Sequence, residues 1–600
     1  MPEKLEEYSK DELISLVKAL KSRKTYGLVW EDKEENVAQL CRTKLPVLVL
    51  DPKRSINADS HSPTHVIIEG DNYHALSALN FTHAGKVDLI YIDPPYNTGN
   101  KDFIYNDDYV DAEDTYKHSK WLSFMEKRLR LAHSLLTDQG SLFASIDDNE
   151  YPRLVMLMEL IFGEKNVKTI VVKMSEATGV KMSSVLATGR VPKLKEYVVI
   201  AKKDGIRDLH IDKLPKEDWD DEYKQLITNL TEEELTVIKA VKGNPERKED
   251  EISQLNELLA RMDYEPISKT FKELGLTTKK DQMEFKYKNA WRIFRTASLE
   301  GGAKKLAVDK KKSFTQPPNF FLITTPRDKA YVIDGSANPD TPSPRIKVLF
   351  ADEYLTLHPG DFWSDIKTTG LENEGGVEFK NGKKPLKLID RIVRTNRRKD
   401  IVVLDFFAGS GTTGEAVLRL NKSDGGTRQV ILATYNREPG GSQNIMDDAC
   451  YPRISNHISG TNGRDELGGN LVFFSTDFVD QGKTDDQTRS NMLTRCEELV
   501  CLREGTYEKS FDSQSFKVFS NIEKRTAIIF EADHIQDCLE NLKSMPTKTP
   551  VSFYIFSLSG DKYEFEFSDV QVQFELRAIP EAILAIYRRI FSPTIASLGN

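Results

Sequence analysis

Six hundred residues are too many for one hydrophobic core, so two to four domains are expected. Hydrophobic residues at 39% and charged residues at 30%, with no apolar run of membrane-spanning length, describe a globular chain carrying long polar insertions and exclude a helical membrane protein. Five cysteines without a CxxC pair exclude a disulfide framework or a zinc ribbon, and a net charge of −9 leaves room only for local basic patches as a nucleic-acid footprint.

In chain order, the first predicted element is a short helix over 9–23, with Leu13, Leu16, Val17 and Leu20 at helical spacing. The N-terminus has no basic-then-apolar export pattern, so a reducing cytoplasm is expected. Strand–helix alternation begins at 64–69, a strand closed by Gly70-Asp71-Asn72 and followed by a helix over 73–79. Strands follow at 86–92 and 140–146, separated by an amphipathic helix over 119–137. This spacing predicts a parallel sheet with crossover helices. The pattern then degrades across 165–350, where a charged stretch over 231–262 reads as a solvent-exposed helical hairpin. Order returns with a helix over 387–395, a strand over 401–404, a helix over 413–420 and a strand over 429–434. Beyond 480, the alternating runs 563–567 and 570–576 predict an antiparallel sheet with one wet face, and a last helix starts near Pro580.

Two segments carry chemistry. Asp93-Pro94-Pro95-Tyr96 follows the apolar run 87–92, and Asp405-Phe406-Phe407-Ala408-Gly409-Ser410-Gly411 follows 401–404. Each sits at the C-terminal end of a strand, where open α/β sheets bind ligands. An exocyclic amine is a poor nucleophile because its lone pair is delocalised. Two acceptors against its hydrogens, the Asp93 carboxylate and the Pro94 carbonyl, would localise that pair. The prolines stiffen the turn, and Tyr96 offers a ring for an extruded base. The alternative is an ordinary Pro-rich turn. In the second segment, Gly409 and Gly411 allow close backbone approach to a ligand, and Thr412 with Glu415 reads as a capping box opening a helix whose N-terminus favours a carboxylate. A phosphate loop fails for want of a lysine at the right spacing. A dinucleotide fingerprint is met by Gly409, Gly411 and Gly414 in spacing, and only context weighs against it.

These motifs resemble those of amino-group DNA methyltransferases, in the Asp-first form typical of adenine-N6 enzymes. The catalytic motif precedes the cofactor motif by about 300 residues, the β-class order. Further segments resemble the modification subunits of type III restriction-modification systems: Tyr26-Gly27-Leu28-Val29-Trp30-Glu31, Gly70-Asp71-Asn72, Ser145-Ile146-Asp147-Asp148-Asn149-Glu150, Gly469-Asn470-Leu471 and Ile579-Pro580-Glu581. The resemblance implies a Rossmann-like α/β sheet of the S-adenosylmethionine-dependent methyltransferases, circularly permuted, with an inserted target-recognition domain and an α+β C-terminal domain. The expected divisions are 1–50 (helical), 51–164 and 351–480 (the two parts of the methyltransferase domain), 165–350 (target recognition) and 481–600 (assembly).

By the same resemblance, Asp93, Pro94, Pro95 and Tyr96 hold a flipped adenine. Asp71, Asn72, Phe379, Asp405, Phe407, Ala408, Gly409, Gly411, Thr412 and Glu438 hold S-adenosylmethionine. Asp71 reads equally well as a helix cap, and Asn436 competes with Glu438 for the ribose. Phe379 with Lys383-Lys384-Pro385 resembles the family's helix-start motif lining the cofactor's other side. Lys193, Lys195, Arg292 and Arg295 are the basic residues expected on double-stranded DNA, each with a solvated-face alternative. Asp147, Asp148 and Glu150 have the look of a metal cluster, but methyl transfer needs no metal, and capping the next helix is the simpler reading. The expected partners are a second copy of the chain and a restriction subunit of helicase-nuclease type. The rival functions are a cytosine-N4 or RNA methyltransferase, and a recognition subunit that chiefly delivers a nuclease.

Overall fold

A computed structural model describes Ser9, Lys10, Ile14 and residues 28–591, except 100–101, 107, 176–184, 186–190, 207–208, 217, 245–246, 327, 339, 367–370, 378, 380–381, 436–443, 494 and 546–548. The helix expected over 9–23 lies mostly outside the described residues. The chain forms two compact units, Met1–Ile211 with Gly360–Asn600, and Asp212–Pro359. No described helix is long and apolar enough to cross a membrane.

The first unit is built on a ten-stranded sheet. Its strands in chain order are β1 (Lys44–Leu50), β2 (Thr64–Glu69), β3 (Val87–Ile92), β4 (Leu136–Ile146), β5 (Val167–Lys173), β6 (Lys195–Lys202), β7 (Phe362–Trp363), β8 (Val402–Asp405), β9 (Gln429–Thr434) and β10 (Asn470–Asp480). In space they run β1-β10-β2-β9-β8-β3-β4-β6-β5-β7. The six central strands, β10 through β4, are parallel throughout. β1 and β6 flank them antiparallel. Helices covering the sheet include α1 (Asn72–Thr82), α2 (Lys117–Leu135), α3 (Tyr151–Phe162), α4 (Leu386–Arg394), α5 (Thr412–Asp424) and α6 (Tyr451–Ser459).

Every residue of β3 is buried, because helices cover both faces of a parallel sheet. Ile90 and Ile92 join Leu76, Trp121, Leu129 and Leu154 from α1, α2 and α3. Leu89 and Tyr91 join Ile389, Val417 and Ile454 from α4, α5 and α6. β3 and β8 lie side by side, with Leu404 paired to Ile90, although more than 300 residues of chain separate them.

The insertion starts later than expected from sequence. β5 and β6, inside the interval 165–350, extend the main sheet: Val198 and Ile200 bury on one face, Val199 and Ala201 on the other. The second unit therefore begins at Asp212. Taken alone, it holds a six-stranded antiparallel sheet. The hairpin expected over 231–262 is two helices, Glu232–Gly243 and Glu249–Ala260. It is wet on one side only: Leu235, Ile238, Leu255 and Leu259 bury against Phe294 and Phe320.

Residues beyond 505 form a five-stranded sheet that is not wholly antiparallel, since Arg525–Ile529, Val551–Phe556 and Phe574–Ile579 pair parallel. The helix Ile535–Ser544 is the crossover that parallel pairing requires. The alternating run at 563–567 is a short helical turn, Glu564–Phe567, entered through Tyr563 at φ 52°. Helices α7 (Cys496–Glu504) and α8 (Glu581–Phe591) bury Leu499, Val500, Ile583 and Tyr587 in the same apolar cluster as α1, so this C-terminal part shares the core of the first unit.

Candidate active site

The tetrad is a stiff turn leaving β3. Trp121 Nε1 donates to the Pro95 carbonyl at 2.7 Å, fixing the turn on α2. Asn97 sits at φ 57° and donates to Glu150 Oε1 at 2.5 Å and to the Lys117 carbonyl at 3.2 Å. Asp93 Oδ1 is 3.2 Å from Lys384 Nζ, which comes from the segment opening α4. Lys384 also pairs with Glu196 Oε2 at 3.0 Å, and the Tyr96 hydroxyl donates to that same oxygen at 2.8 Å. Burial pushes the Asp93 carboxyl up to about 6. Lys384 works against that shift and Glu196 adds to it. Lys384 is raised by its two carboxylate neighbours, against desolvation.

The second motif ends β8. Asp405 is 2% exposed, and neutral donors take both its oxygens: Phe407 N–H at 3.0 Å and the Thr413 hydroxyl at 2.6 Å. Burial pushes its carboxyl up to about 7. Gly409 (φ 49°) and Gly411 (φ 78°) give the loop a left-handed path. A Cβ built on Gly409 meets nothing nearer than the Phe407 carbonyl at 3.8 Å and Phe379 Cζ at 3.9 Å, so the loop backbone faces open space bordered by the Phe379 ring. Asn72 Nδ2 donates to the Phe406 carbonyl at 3.1 Å, tying the start of α1 to this loop. Arg128, fully buried, donates to Asn72 Oδ1 at 2.5 Å and pairs with Glu35 and Asp71. Asp71 caps α1, accepting from Tyr73 N at 2.7 Å and His74 N at 3.3 Å, yet its side chain stays 39% exposed, so capping leaves it available to a ligand.

Several expectations change. α5 starts without a capping box: its cap is Gly411, and no side chain caps it. Glu415 instead accepts from the buried Arg453 of α6 at 2.6 Å, and Arg453 also donates to Thr412 Oγ1 at 2.8 Å and Ser410 Oγ at 3.1 Å. A fully buried guanidinium outcompetes a local cap for a carboxylate. Asp147, Asp148 and Glu150 do not cap α3, whose N-cap Glu150 makes no side-chain cap bond. Asp147 pairs with Lys193 and Asp148 with Lys195, each at 2.6 Å, while Glu150 holds Asn97 and His118. Of the expected DNA contacts, Lys193 and Lys195 thus stand on or beside β6 in ion pairs. In the second unit, Arg295 pairs with Glu222, and Arg292 donates to Asn289 Oδ1 at 2.7 Å. Glu438 and Asn436 lie outside the described residues.

Lys384, Glu196, Arg128 and Arg453 were not singled out for these roles from sequence. The one signal was the Lys383-Lys384-Pro385 run, read as part of a cofactor wall rather than as a partner of Asp93.

Residues 87–431, which carry both motifs, match the model of a family described as DNA methylase. The StyLTI Mod subunit of a type III restriction-modification enzyme from Salmonella typhimurium is 29% identical over 71% of this chain and 62% of its own length. The EcoPI Mod subunit of Escherichia phage P1 is 29% identical over 71% of this chain and 66% of its own. The type II methyltransferase M.KpnI of Klebsiella pneumoniae is 29% identical over 62% of this chain and 81% of its own. The chain thus spans a little under two thirds of the length of these two Mod subunits.

Proposed function

The chain belongs to the DNA methylase family, whose model covers residues 87–431, and from that premise we propose that it methylates N6 of a flipped adenine in duplex DNA as the modification and recognition subunit of a type III restriction-modification system. The observation that carries the proposal is the pairing of β3 with β8, which puts Asp93 and Asp405 at the C-terminal ends of adjacent parallel strands.

Asp405, Gly409 and Gly411 with Phe379 and Phe407 are assigned to the methionyl part of S-adenosylmethionine, and the open space beside the Gly409 backbone, bordered by the Phe379 ring, supports this. Its adenosine end is assigned to Asp71, whose side chain is 39% exposed, while Asn72, buried and bonded to Phe406 and Arg128, supports the loop instead. Bound S-adenosylmethionine supplies an electrophilic methyl group. The Asp93 carboxylate and the Pro94 carbonyl accept the two N6 hydrogens and localise the nitrogen lone pair. Tyr96 stacks on the extruded base, a contact worth about 1–3 kcal/mol. The methylated nitrogen then loses one proton, and the ionised Asp93 is the acceptor in reach. The compact unit Asp212–Pro359, with its own sheet and its basic and aromatic side chains, is assigned to target recognition.

Incubating the purified chain with unmethylated genomic DNA and labelled S-adenosylmethionine, then analysing nucleosides by mass, tests the proposal. N6-methyladenine is expected. N4-methylcytosine would replace the assigned base, and an absence of label would remove methyl transfer by the isolated chain. The proposed assembly is a homodimer that also binds a restriction subunit, and a monomer mass by light scattering at micromolar concentration would overturn the first half.

A further inference from the structure

A buried ammonium needs counter-charges, and Lys384 has two. Its Nζ lies 3.2 Å from Asp93 Oδ1 and 3.0 Å from Glu196 Oε2, and it donates to the Tyr96 hydroxyl. The Tyr96 hydroxyl donates in turn to Glu196 Oε2 at 2.8 Å. Glu196 stands on β6, on the far side of β4 from β3, and belongs to neither motif. From this geometry we infer that Glu196 and Lys384 are positioning residues for methyl transfer: Lys384 keeps the Asp93 carboxylate in its charged, amine-accepting form, and Glu196 anchors both Lys384 and the Tyr96 ring. The assignment rests on the reading of Asp93 and Tyr96 as the target-base clamp.

The physical case has two parts. A carboxyl held in the low dielectric of this turn would take up a proton without a nearby cation, and a protonated Asp93 loses an acceptor for the amine. A lysine bound to Asp93 alone would compete with the adenine amine for the same oxygens. Glu196 shares the ammonium, so that Asp93 is stabilised without being saturated. Glu196 also ties down the phenol end of Tyr96, the part of the ring free to swing about its side-chain torsions. One carboxylate therefore fixes both halves of the clamp.

The charged and titratable groups facing Asp93 are Lys384 from the start of α4, Glu196 from β6, Tyr91 from β3, Asp405 from β8 and Tyr96 on its own turn. Lys384 lowers the Asp93 titration and Glu196 raises it. Removing each should therefore move that titration in opposite directions. The acid limb of kcat/KM reports it, because the rate falls as Asp93 protonates.

The test measures methylation of unmethylated genomic DNA by the full chain across about pH 5.5 to 9 for wild type, Lys384→Met, Glu196→Gln and Tyr96→Phe. Lys384→Met should move the acid limb up by about one pH unit or more. Glu196→Gln should move it down, and should also lower kcat on the alkaline plateau by about tenfold. Tyr96→Phe, which deletes only the anchored hydroxyl, should share the plateau loss without the downward shift. S-adenosylmethionine binding should stay near wild type in all three. An active wild type whose limb and plateau are unmoved in the Lys384 and Glu196 variants would overturn the inference, as would equal losses at every pH with no limb shift. If Lys384→Met does not fold, the near-isosteric Glu196→Gln decides alone by the sign of its shift. An inactive wild type would be a different failure: it would remove the clamp reading, and the positioning roles with it.

Discussion

Asp93 and Asp405 end adjacent strands and are both pushed above the usual carboxylate range, but by environments that ask different things of them. Asp93 faces an ammonium and remains an ion over most of the neutral range. Asp93→Ala should therefore lower methylation by more than about 100-fold while S-adenosylmethionine binding, measured by calorimetry, changes little. Retained turnover would remove the tetrad from the chemistry. Asp405 is bonded only by neutral donors, an amide N–H and a hydroxyl, and burial, with a smaller push from Asp93, takes its carboxyl to about 7. A carboxyl whose folded value lies above its unfolded one favours the folded chain while protonated. That stability is complete below the ordinary Asp range and is lost as pH rises to about 7. Asp405→Asn removes the titration and can keep both hydrogen bonds, since its oxygen accepts from Phe407 N–H and the Thr413 hydroxyl can rotate to accept. The cofactor-free variant should thus be more stable than wild type at pH 8, by on the order of 1–3 kcal/mol, and no more stable near pH 4. Calorimetric unfolding at the two pH values reads the difference. A variant less stable than wild type at both would show that the charge of Asp405 is compensated in the fold.

α5 and the loop before it contain three glycines in a dinucleotide-like spacing, and their surroundings separate their roles. A Cβ on Gly414 would come within 2.4 Å of Ile454 Cδ1 and 2.9 Å of Leu432 Cδ1, so this glycine lets α5 pack between β9 and α6. A Cβ on Gly409 meets open space, although φ 49° strains any other residue there. Gly414→Val should cost about 1–3 kcal/mol of stability by overpacking. Gly409→Ala should cost about 1 kcal/mol, the ordinary penalty of a left-handed alanine, but should weaken S-adenosylmethionine binding out of proportion. Unfolding and calorimetry on the same two proteins check this, and equal affinity losses would erase the distinction. The same elements show what the sequence made legible. β3, β8 and β9 were readable because a strand covered on both faces is a continuous apolar run, and the motifs follow such runs directly. The start of α5 was misread because Thr412 and Glu415 have cap spacing, while the side chain that claims them, Arg453, comes from the next helix. Lys384 and Glu196 were not assigned to Asp93 because ion partners on separate elements, a helix entry and a strand, leave no local period. The C-terminal alternation at 563–567 misled because only Phe567 of the run is buried, while Phe565 is 88% exposed, so the pattern marks no sheet face.

At the scale of the whole chain, the two candidate boundaries of the proposed recognition segment make opposite predictions. Asp212–Pro359 holds its own six-stranded sheet and its own apolar clusters, and contributes no strand to the ten-stranded sheet. A segment with a self-contained core can be exchanged without opening its host. Replacing 212–359 by the corresponding segment of a related Mod subunit should leave S-adenosylmethionine binding intact and move methylation to the donor's target sequence, read by sequencing modified adenines. The interval 165–350, drawn from the loss of strand–helix alternation, should behave otherwise. Its exchange removes β5 and β6 from the edge of the sheet and takes Glu196 with them. Val198, Val199, Ile200 and Ala201 are buried on both faces of that edge, so a poorly matched replacement exposes the layers beneath them. That hybrid should lose stability and methylation together. If the narrower hybrid is active on the parent sequence, target choice resides in the first unit, where Lys193 Nζ stands 5.8 Å from the Tyr96 ring. If the wider hybrid is as active as the narrower, β5 and β6 contribute neither the packing nor the anchoring assigned to them.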